Sequence, residues 1–323
     1  MTQRHLRKDQ EGFTLLEMLV TVGIMAAVAG TATLALQDTT ARASAAAHVL
    51  MMDELNEGIM TYRVLNGNAY PNDFDSLLET AAAGSVLAAD TGPYSQLGAA
   101  VSNPTDGVGD LSVTTIPAGV ATVLADVGIT SLRYVDTTLA GADAPEDAAG
   151  LDCTDAQALI NSRSNAVVSG NIYLSPEANG CGFSAAPADG NEAVFWSGGN
   201  ERVLGSGAAE PGFTDAGAID LATSDIGAKV LMVVGAGPSS NLFDASELGG
   251  LTSVPVYRHV AQDEYMRFFI LFHVATLTDS TGAAAVPDTI TPVDQVNIAG
   301  VVDSAGDTKE EELGEWDGTR NTI

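Results

Sequence analysis

Two cysteines are the residues of this sequence best suited to covalent chemistry. Cys153 and Cys181 are the only cysteines, and turn residues flank both, as in Asn179-Gly180-Cys181-Gly182. In an oxidising compartment the pair would form a disulfide that closes a loop of about 29 residues and stabilises the fold by about 3.5 kcal/mol. The alternative is two buried free thiols. Two cysteines are too few for a disulfide-built miniprotein or a four-cysteine zinc site.

Two aspartate pairs in glycine-containing loops could hold a metal ion. Asp106 and Asp110 lie in the sequence DGVGD, and Asp303 and Asp307 lie in DSAGD. Calcium is a hard cation that binds carboxylate and carbonyl oxygens, so both loops are weak candidates for calcium. Neither has the spacing of an EF-hand, and solvated acidic loops are the alternative interpretation. We expect no other cofactor.

Signatures of catalysis are missing from the sequence. The segment 233–240, VVGAGPSS, resembles a dinucleotide-binding turn, but serine replaces its third glycine and no alternating strand–helix pattern surrounds it. The sequence contains neither a Walker A motif nor a G-x-S-x-G elbow. We therefore predict that the protein is not an enzyme.

The charge balance excludes another class of partner. The chain of 323 residues has 42 acidic and 13 basic residues, a net charge of −29. Nucleic-acid binding requires clustered lysine and arginine, so we predict no nucleic acid as the main partner. The apolar content of 46% indicates a folded chain.

The N-terminus has the composition of a membrane-inserted segment. Residues 1–12 are polar and basic, whereas residues 13–36 carry a single charge, Glu17. A helix of that length would measure about 36 Å, enough to cross a hydrocarbon core of about 30 Å. Basic residues before the segment and Asp38 after it predict a cytoplasmic N-terminus.

Simpler interpretations of this segment leave features unexplained. A secretory signal could be cleaved at Ala43-Ser44-Ala45, but the apolar run exceeds the usual h-region of about 7–15 residues. A plain signal anchor does not explain Glu17, because a carboxylate inside a bilayer costs about 2.5–3.5 kcal/mol and usually marks function.

The nine residues from Gly12 to Val20, GFTLLEMLV, resemble the class III signal of type IV pilins and type II secretion pseudopilins. The resemblance implies that a prepilin peptidase cleaves between Gly12 and Phe13 and that Phe13 is then N-methylated. It also implies that Glu17 pairs with the Phe13 amine of a neighbouring subunit during assembly. Pilins often close their C-terminal region with a disulfide, and some pseudopilins bind calcium in a loop beside the sheet.

The resemblance implies a structural subunit of a type IV pilus-like extracellular filament. The partners would be other copies of the chain, other pilins, the prepilin peptidase and an inner-membrane assembly platform. The precursor would lie in the inner membrane and the mature protein in an extracellular or periplasm-spanning filament. The alternatives are a pseudopilin of a type II secretion system and a membrane-anchored binding protein or adhesin that never polymerises.

The resemblance, together with the apolar helix and the β-branched runs, predicts an α+β fold with one long helix packed on a C-terminal antiparallel sheet. We predict a cleaved leader over 1–12, a transmembrane and filament-core helix over 13–36, an amphipathic continuation over 37–66, and a globular β-rich domain over 67–323 that has room for a second lobe. Five apolar residues at helical spacing predict the buried stripe of that continuation: Val49, Met52, Leu55, Ile59 and Tyr62.

Three further local predictions concern the globular domain. β-branched and aromatic runs predict strands over 112–116, 131–135, 166–174, 193–196, 229–234, 254–260, 267–277 and 296–302. The segment from Asn72 to Asp75 reads as the start of a helix that points Leu77 and Leu78 inward. The acidic tail, residues 309–323, reads as a solvated or partly disordered end.

Overall fold

The structure is a computed structural model that describes residues 15–78, 111–135, 182–214, 217–257 and 267–317. It consists of two compact units. Among the described residues, 15–47 and 313–317 belong to the first unit, and the second lies within His48–Glu312.

A helix of 51 residues, α1 (Leu15–Leu65), begins the described chain. It contains no proline and continues through Gly23 and Gly30, the two weakest helix formers of its apolar half. Gly67 and Asn68 follow it with φ values of 68° and 74°. This left-handed backbone, which glycine and asparagine adopt most easily, ends the helix where the sequence Asn-Gly-Asn predicts a stop.

The second unit is built on a mixed sheet with the strand order β10-β9-β8-β1-β3-β4, while β5 also pairs with β8 and β2 pairs with β5. All its pairs are antiparallel except β1 with β3, and β6 and β7 form a separate two-stranded sheet. The strands are β1 (Phe74–Asp75), β2 (Leu111–Thr115), β3 (Leu132–Val135), β4 (Gly182–Ala185), β5 (Glu192–Trp196), β6 (Gly212–Phe213), β7 (Ile219–Asp220), β8 (Lys229–Gly235), β9 (Phe269–Thr278) and β10 (Thr289–Val302).

The core of this unit lies around the central strands β8 and β9, whose residues are mostly buried on both faces. The predicted stripe of α1 joins the core, and all five of its residues are buried. Three shorter α-helices, α2 (Val120–Asp126), α3 (Asn200–Leu204) and α4 (Lys309–Asp317), and one 3-10 helix (Asn241–Phe243) complete the helices of the described residues. A long helix with a largely antiparallel sheet confirms the α+β prediction.

Strand β10 lies at one edge of the sheet in the described part of the chain, where it pairs with β9 on one side. Its register with β9 shifts twice, between Pro292 and Asn297 and between Ile298 and Gly300. Such bulges interrupt the ladder of hydrogen bonds and increase the local twist.

The helix predicted to begin at Asn72 is absent, and the described chain forms strand β1 there instead. The Asn72 side chain does not cap a helix, because its Oδ1 accepts hydrogen bonds from the backbone N–H groups of Thr130, at 2.6 Å, and Ser131, at 3.2 Å. These bonds place the segment beside β3, where Phe74 pairs with Leu132. Leu77 is nevertheless buried as predicted, and so is Leu78.

The acidic tail also differs from its prediction, because residues 309–317 form helix α4. Thr308 and Glu311 make a reciprocal capping box at its start. The Thr308 backbone N–H donates to Glu311 Oε2 at 2.7 Å, and the Glu311 N–H donates to Thr308 Oγ1 at 3.4 Å. This pair satisfies N–H groups that a helix start would otherwise leave without acceptors.

Candidate functional site

The first candidate site is the apolar half of α1. The 19 residues Leu15–Thr33 are long and apolar enough to cross a membrane, and none of them is buried. Large apolar side chains are exposed all around the helix, with Leu15 at 86% and Met25 at 71% exposure. Because exposed apolar surface of this extent is unfavourable in water, the segment requires a bilayer or other apolar helices around it.

Three threonines in the span are compatible with an apolar environment. The hydroxyls of Thr21, Thr31 and Thr33 donate to backbone carbonyls three or four residues earlier in α1, at 2.7–3.2 Å. Each hydroxyl therefore has its acceptor within the helix and needs none from water.

Glu17 lies in the first turn of α1 and is exposed. It is the one charged side chain within Leu15–Thr33. Gly12 and Phe13, the residues predicted to flank the cleavage site, lie outside the described residues. So do Cys153 and Cys181, predicted to form a disulfide, and Asp106 and Asp110 of the first candidate calcium loop.

The second candidate calcium loop lies within the described residues, and the structure places a third carboxylate beside its two aspartates. Asp303, Asp307 and Glu312 form a cluster in which one ligand oxygen from each lies within 4.8 Å of the others. Asp303 and Glu312 are buried, at 0% and 1% exposure, and Asp307 is half-buried. The capping box starts α4 beside this loop. The Glu312 N–H donates to the Thr308 carbonyl at 3.0 Å, so Glu312 lies one helical turn after Thr308, on the side of α4 that faces the loop.

Backbone groups of the loop fix the Asp303 carboxylate. Its Oδ1 accepts the N–H groups of Ala305 at 2.8 Å and of Asp307 at 2.9 Å. Its Oδ2 is buried and has no hydrogen-bond partner. Burial, followed by the adjacent Glu312 carboxyl group, raises the pKa of Asp303 to about 8 although these N–H groups act in the opposite direction.

An imidazole and a phenol complete the surroundings of this cluster. His48, on α1, has Nδ1 3.4 Å from Glu312 Oε1. Its ring packs against the Tyr257 ring, with centroids 4.4 Å apart. Burial and then the negative charges of Asp303 and Glu312 raise the pKa of Tyr257.

Neither Glu312 nor His48 was predicted from the sequence as a site residue. For Glu312 a signal exists, since Thr308-Lys-Glu-Glu311 has the S/T-x-x-E pattern of a capping box and predicts a helix that contains Glu312. His48 lies 264 residues from Glu312 in the chain, and no short-range pattern links the two.

Comparisons with known proteins identify the N-terminal segment. Neither the curated proteins nor the solved structures contain a match to the chain. Residues 7–33 match the family described as "Prokaryotic N-terminal methylation motif". This match and the exposed apolar helix fit a membrane-anchored precursor, and the motif implies processing by prepilin peptidase. Residues 7–33 thus carry the class III prepilin signal of type IV pilins and pseudopilins.

Proposed function

We propose that the protein is a structural subunit of a type IV pilus-like extracellular filament, assembled through its N-terminal helix. One observation carries the proposal. The methylation motif continues directly into a span of 19 apolar residues, none of them buried, at the start of an unbroken 51-residue helix. A helix that is apolar all around needs a bilayer before assembly and neighbouring helices after it.

In this proposal the precursor lies in the inner membrane with its N-terminus in the cytoplasm. Prepilin peptidase cleaves between Gly12 and Phe13 and methylates the new terminus, and an inner-membrane platform lifts the subunit into the filament. The apolar helices of neighbouring subunits replace the lipid, and the second unit, within His48–Glu312, supplies the outer surface. The protein acts by assembly and catalyses no reaction.

Glu17 would set the register of assembly. Cleavage creates a positive amine on Phe13, which enters the same apolar layer as the Glu17 carboxylate. A buried charge without a partner costs several kcal/mol, and pairing with an opposite charge of a neighbouring subunit removes most of that cost. The pair therefore favours the one axial offset at which the two groups meet.

Replacing Glu17 with alanine separates a filament subunit from a plain anchor. The span becomes more apolar, so insertion and cleavage should be unaffected. A filament should nevertheless be lost, because removing one member of a buried pair costs about 3–5 kcal/mol, or a hundredfold to a few thousandfold in subunit docking. Membrane-fraction blots, sheared-fraction blots and electron microscopy give the readouts.

The matched control is Glu57→Ala, which removes the charge of an exposed glutamate of the same helix in the second unit. We expect this variant to form filaments at the wild-type level. Wild-type filament yield from Glu17→Ala would overturn the assembly role of Glu17. Absence of filaments from the wild type, with the protein stably in the membrane, would favour the non-polymerising adhesin.

A type II secretion pseudopilin is the alternative within the same class, and the methylation motif supports both equally. Deleting the gene distinguishes the two. A pilus subunit should be needed for surface filaments with protein secretion intact, whereas a pseudopilin should be needed for release of exoproteins from the periplasm.

A further inference from the structure

We propose that Arg63, near the end of α1, binds a carboxylate of a neighbouring copy of this chain. Arg63 belongs to the second unit and is 8% exposed. The inference rests on the proposed filament, which holds copies of the second unit close together. It adds a contact between those units to the contacts of the apolar helices.

The first observation is a buried cation without a counter-charge. Among the residues that the structure describes, no carboxylate forms an ion pair with Arg63. Its Nη2 donates to Asn68 Oδ1 at 2.9 Å, and its Nη1 donates to Met60 Sδ, a weak acceptor, at 3.8 Å. An arginine keeps its proton at every ordinary pH, and a buried charge without a counter-charge is unfavourable.

An aromatic ring is the third contact of the guanidinium group, and it supplies no negative charge. The central carbon of the Arg63 guanidinium lies 4.0 Å from the centroid of the Tyr70 ring. This cation–π contact offsets part of the cost of burial. Burial raises the pKa of Tyr70 in spite of the nearby arginine, so the phenol stays neutral.

An unsatisfied donor is the second and independent observation. Arg63 Nε is buried and has no hydrogen-bond partner in the described structure. Buried polar atoms nearly always have one. A guanidinium carries several N–H donors in one plane, and a carboxylate can accept two of them at once. Arg63 therefore retains donors for a carboxylate that its own described residues do not supply.

The guanidinium group lies close below the surface. Two of the residues that contact it are exposed, Asn68 and Met60, the latter at 43%. Methionine is flexible and its sulfur is a weak acceptor, so a carboxylate can replace Met60 at Nη1. Val64 and Leu65, the next residues of α1, are also exposed. An arginine beside apolar side chains is typical of the central contacts of protein interfaces.

Charge complementarity identifies the partner as a second copy. With 42 acidic and 13 basic residues, each copy offers many carboxylates and few cations. Two other cations of the second unit already have partners in their own copy, because Arg202 binds Glu311 and Lys309 binds Asp53. Copies with a net charge of −29 repel one another, so a close contact requires a cation that faces a carboxylate.

Arg63→Met tests the contact, because it keeps an apolar side chain of similar reach and removes the charge. In detergent, the melting temperature of the full-length variant should not fall below that of the wild type, since an unpaired buried charge is removed. Subunit docking should weaken by about thirtyfold or more, so that sheared-fraction blots show few or no filaments. The matched control is Lys309→Met, which removes a cation paired within its own copy and should assemble at the wild-type level.

Crosslinking identifies the carboxylate. Arg63→Lys, expressed together with the wild type so that filaments form, places an amine at this position. A carbodiimide should join this amine to a carboxylate of another copy in sheared filaments, giving a dimer whose linked peptides mass spectrometry identifies. Subunits dispersed in detergent should not give this product. Lys309, with Nζ 2.6 Å from Asp53 Oδ1, is the internal control and should react in both samples.

Wild-type filament yield from Arg63→Met would overturn this inference alone. A lower melting temperature of Arg63→Met in detergent would also overturn it, because the cation would then be satisfied within its own copy. If sodium acetate raises the melting temperature of the wild type but not of Arg63→Met, and no dimer forms, the site binds a free carboxylate and the second copy is the wrong source. Absence of filaments from the wild type would overturn the proposed function together with this inference.

Discussion

The guanidinium group of Arg202 binds the carboxylate of Glu311 through two hydrogen bonds, from Nε to Oε1 at 2.8 Å and from Nη2 to Oε2 at 3.1 Å. The pair joins α3 to α4, and Nη2 also donates to the Gly306 carbonyl at 2.8 Å. Because a lysine has no planar fork, we expect Arg202→Lys to lose about 1–2 kcal/mol of unfolding free energy. Thermal and urea unfolding of the full chain in detergent would measure the loss.

The ion pair between Lys309 and Asp53 should contribute less to stability than the pair between Arg202 and Glu311. Lys309 Nζ lies 2.6 Å and 2.7 Å from the two Asp53 carboxylate oxygens, but both side chains are about half exposed. Exposed pairs contribute less than about 1 kcal/mol, so Lys309→Met should change stability less than Arg202→Lys does. An equal or larger loss from Lys309→Met would contradict this ranking.

The buried stripe of α1 should govern the stability of the second unit. Ile59 has 0% exposure and belongs to the central core. We expect Ile59→Ala to destabilise the unit by about 2–5 kcal/mol, because the mutation removes apolar contacts and leaves a cavity. Val64 on the same helix is 81% exposed, and Val64→Ala should change stability by less than about 0.5 kcal/mol. Similar losses of unfolding free energy for both variants would mean that the part of α1 around Ile59 does not pack against the sheet.

The carboxyl group of Asp279, in the loop between β9 and β10, should titrate at low pH. Asp279 accepts hydrogen bonds from the Thr281 hydroxyl at 2.7 Å and from the Ala284 N–H at 2.7 Å, which lower its pKa from 3.8 to about 2. A lowered pKa favours the charged form in the folded state. Its contribution to stability is therefore complete above about pH 4 and is lost as the pH falls through about 2.

Carboxyl NMR of the full chain would report this titration. Thr281→Val should raise the pKa of Asp279 towards 3.8, because the hydroxyl is the largest cause of the shift. Thr289→Val is the control, since that hydroxyl donates to Asp288 and not to Asp279. An Asp279 pKa near 3.8 in the wild type would show that the loop is not held in this conformation.

Mass spectrometry of the N-terminus would test processing. The methylation motif covers residues 7–33, so protein from a host with prepilin peptidase should begin at N-methylated Phe13. Gly12→Leu should leave the full precursor in the membrane, because the residue before the cleaved bond is changed. An intact Met1 in the wild type, or a start after Ala45, would end the pilin interpretation.

The two cysteines give a prediction for the region that the proposed function places outside the cytoplasm. Cys153 and Cys181 should be bridged in protein from the native host, so thiol titration under denaturing, non-reducing conditions should find no free thiol. Replacing both with serine should cost about 3.5 kcal/mol in the chain-entropy model. Two titratable thiols in the wild type would argue against export or against proximity of the pair.

Among the described residues, the sequence patterns predicted α1, β2, β3, β5, β8, β9 and part of β10. They did not predict α2, α3, β4, β6 or β7, and residues 254–257 of the strand predicted over 254–260 form no strand. The strands over residues 111–115, 192–196, 229–235 and 269–278 lie where β-branched and aromatic residues concentrate. The helical spacing of Leu55 and Ile59 predicted the face of α1 that is buried. In both cases the pattern reflects burial along one element, which a sequence records directly.

The errors occur where a distant contact decides the local structure. Asn72 has the composition of a helix cap, but its side chain bonds to backbone 58 and 59 residues later and holds the segment as a strand. For the same reason, only Asp303 and Asp307 of the acidic cluster were predicted, and the neighbouring His48 was not. Asp303 and Asp307 share one loop, whereas the approach of His48 depends on the folded chain.

The irregular edge at β10 affects how copies of this chain can interact when they are packed closely together. A regular outer strand offers a row of N–H and C=O groups on which another copy of the sheet could extend itself. Pro292 has no N–H to offer, and two register shifts bend the strand around it. Because such an edge is a poor template, copies of this chain held side by side at high density would resist the pairing of one β10 strand with another that could begin amyloid-like aggregation.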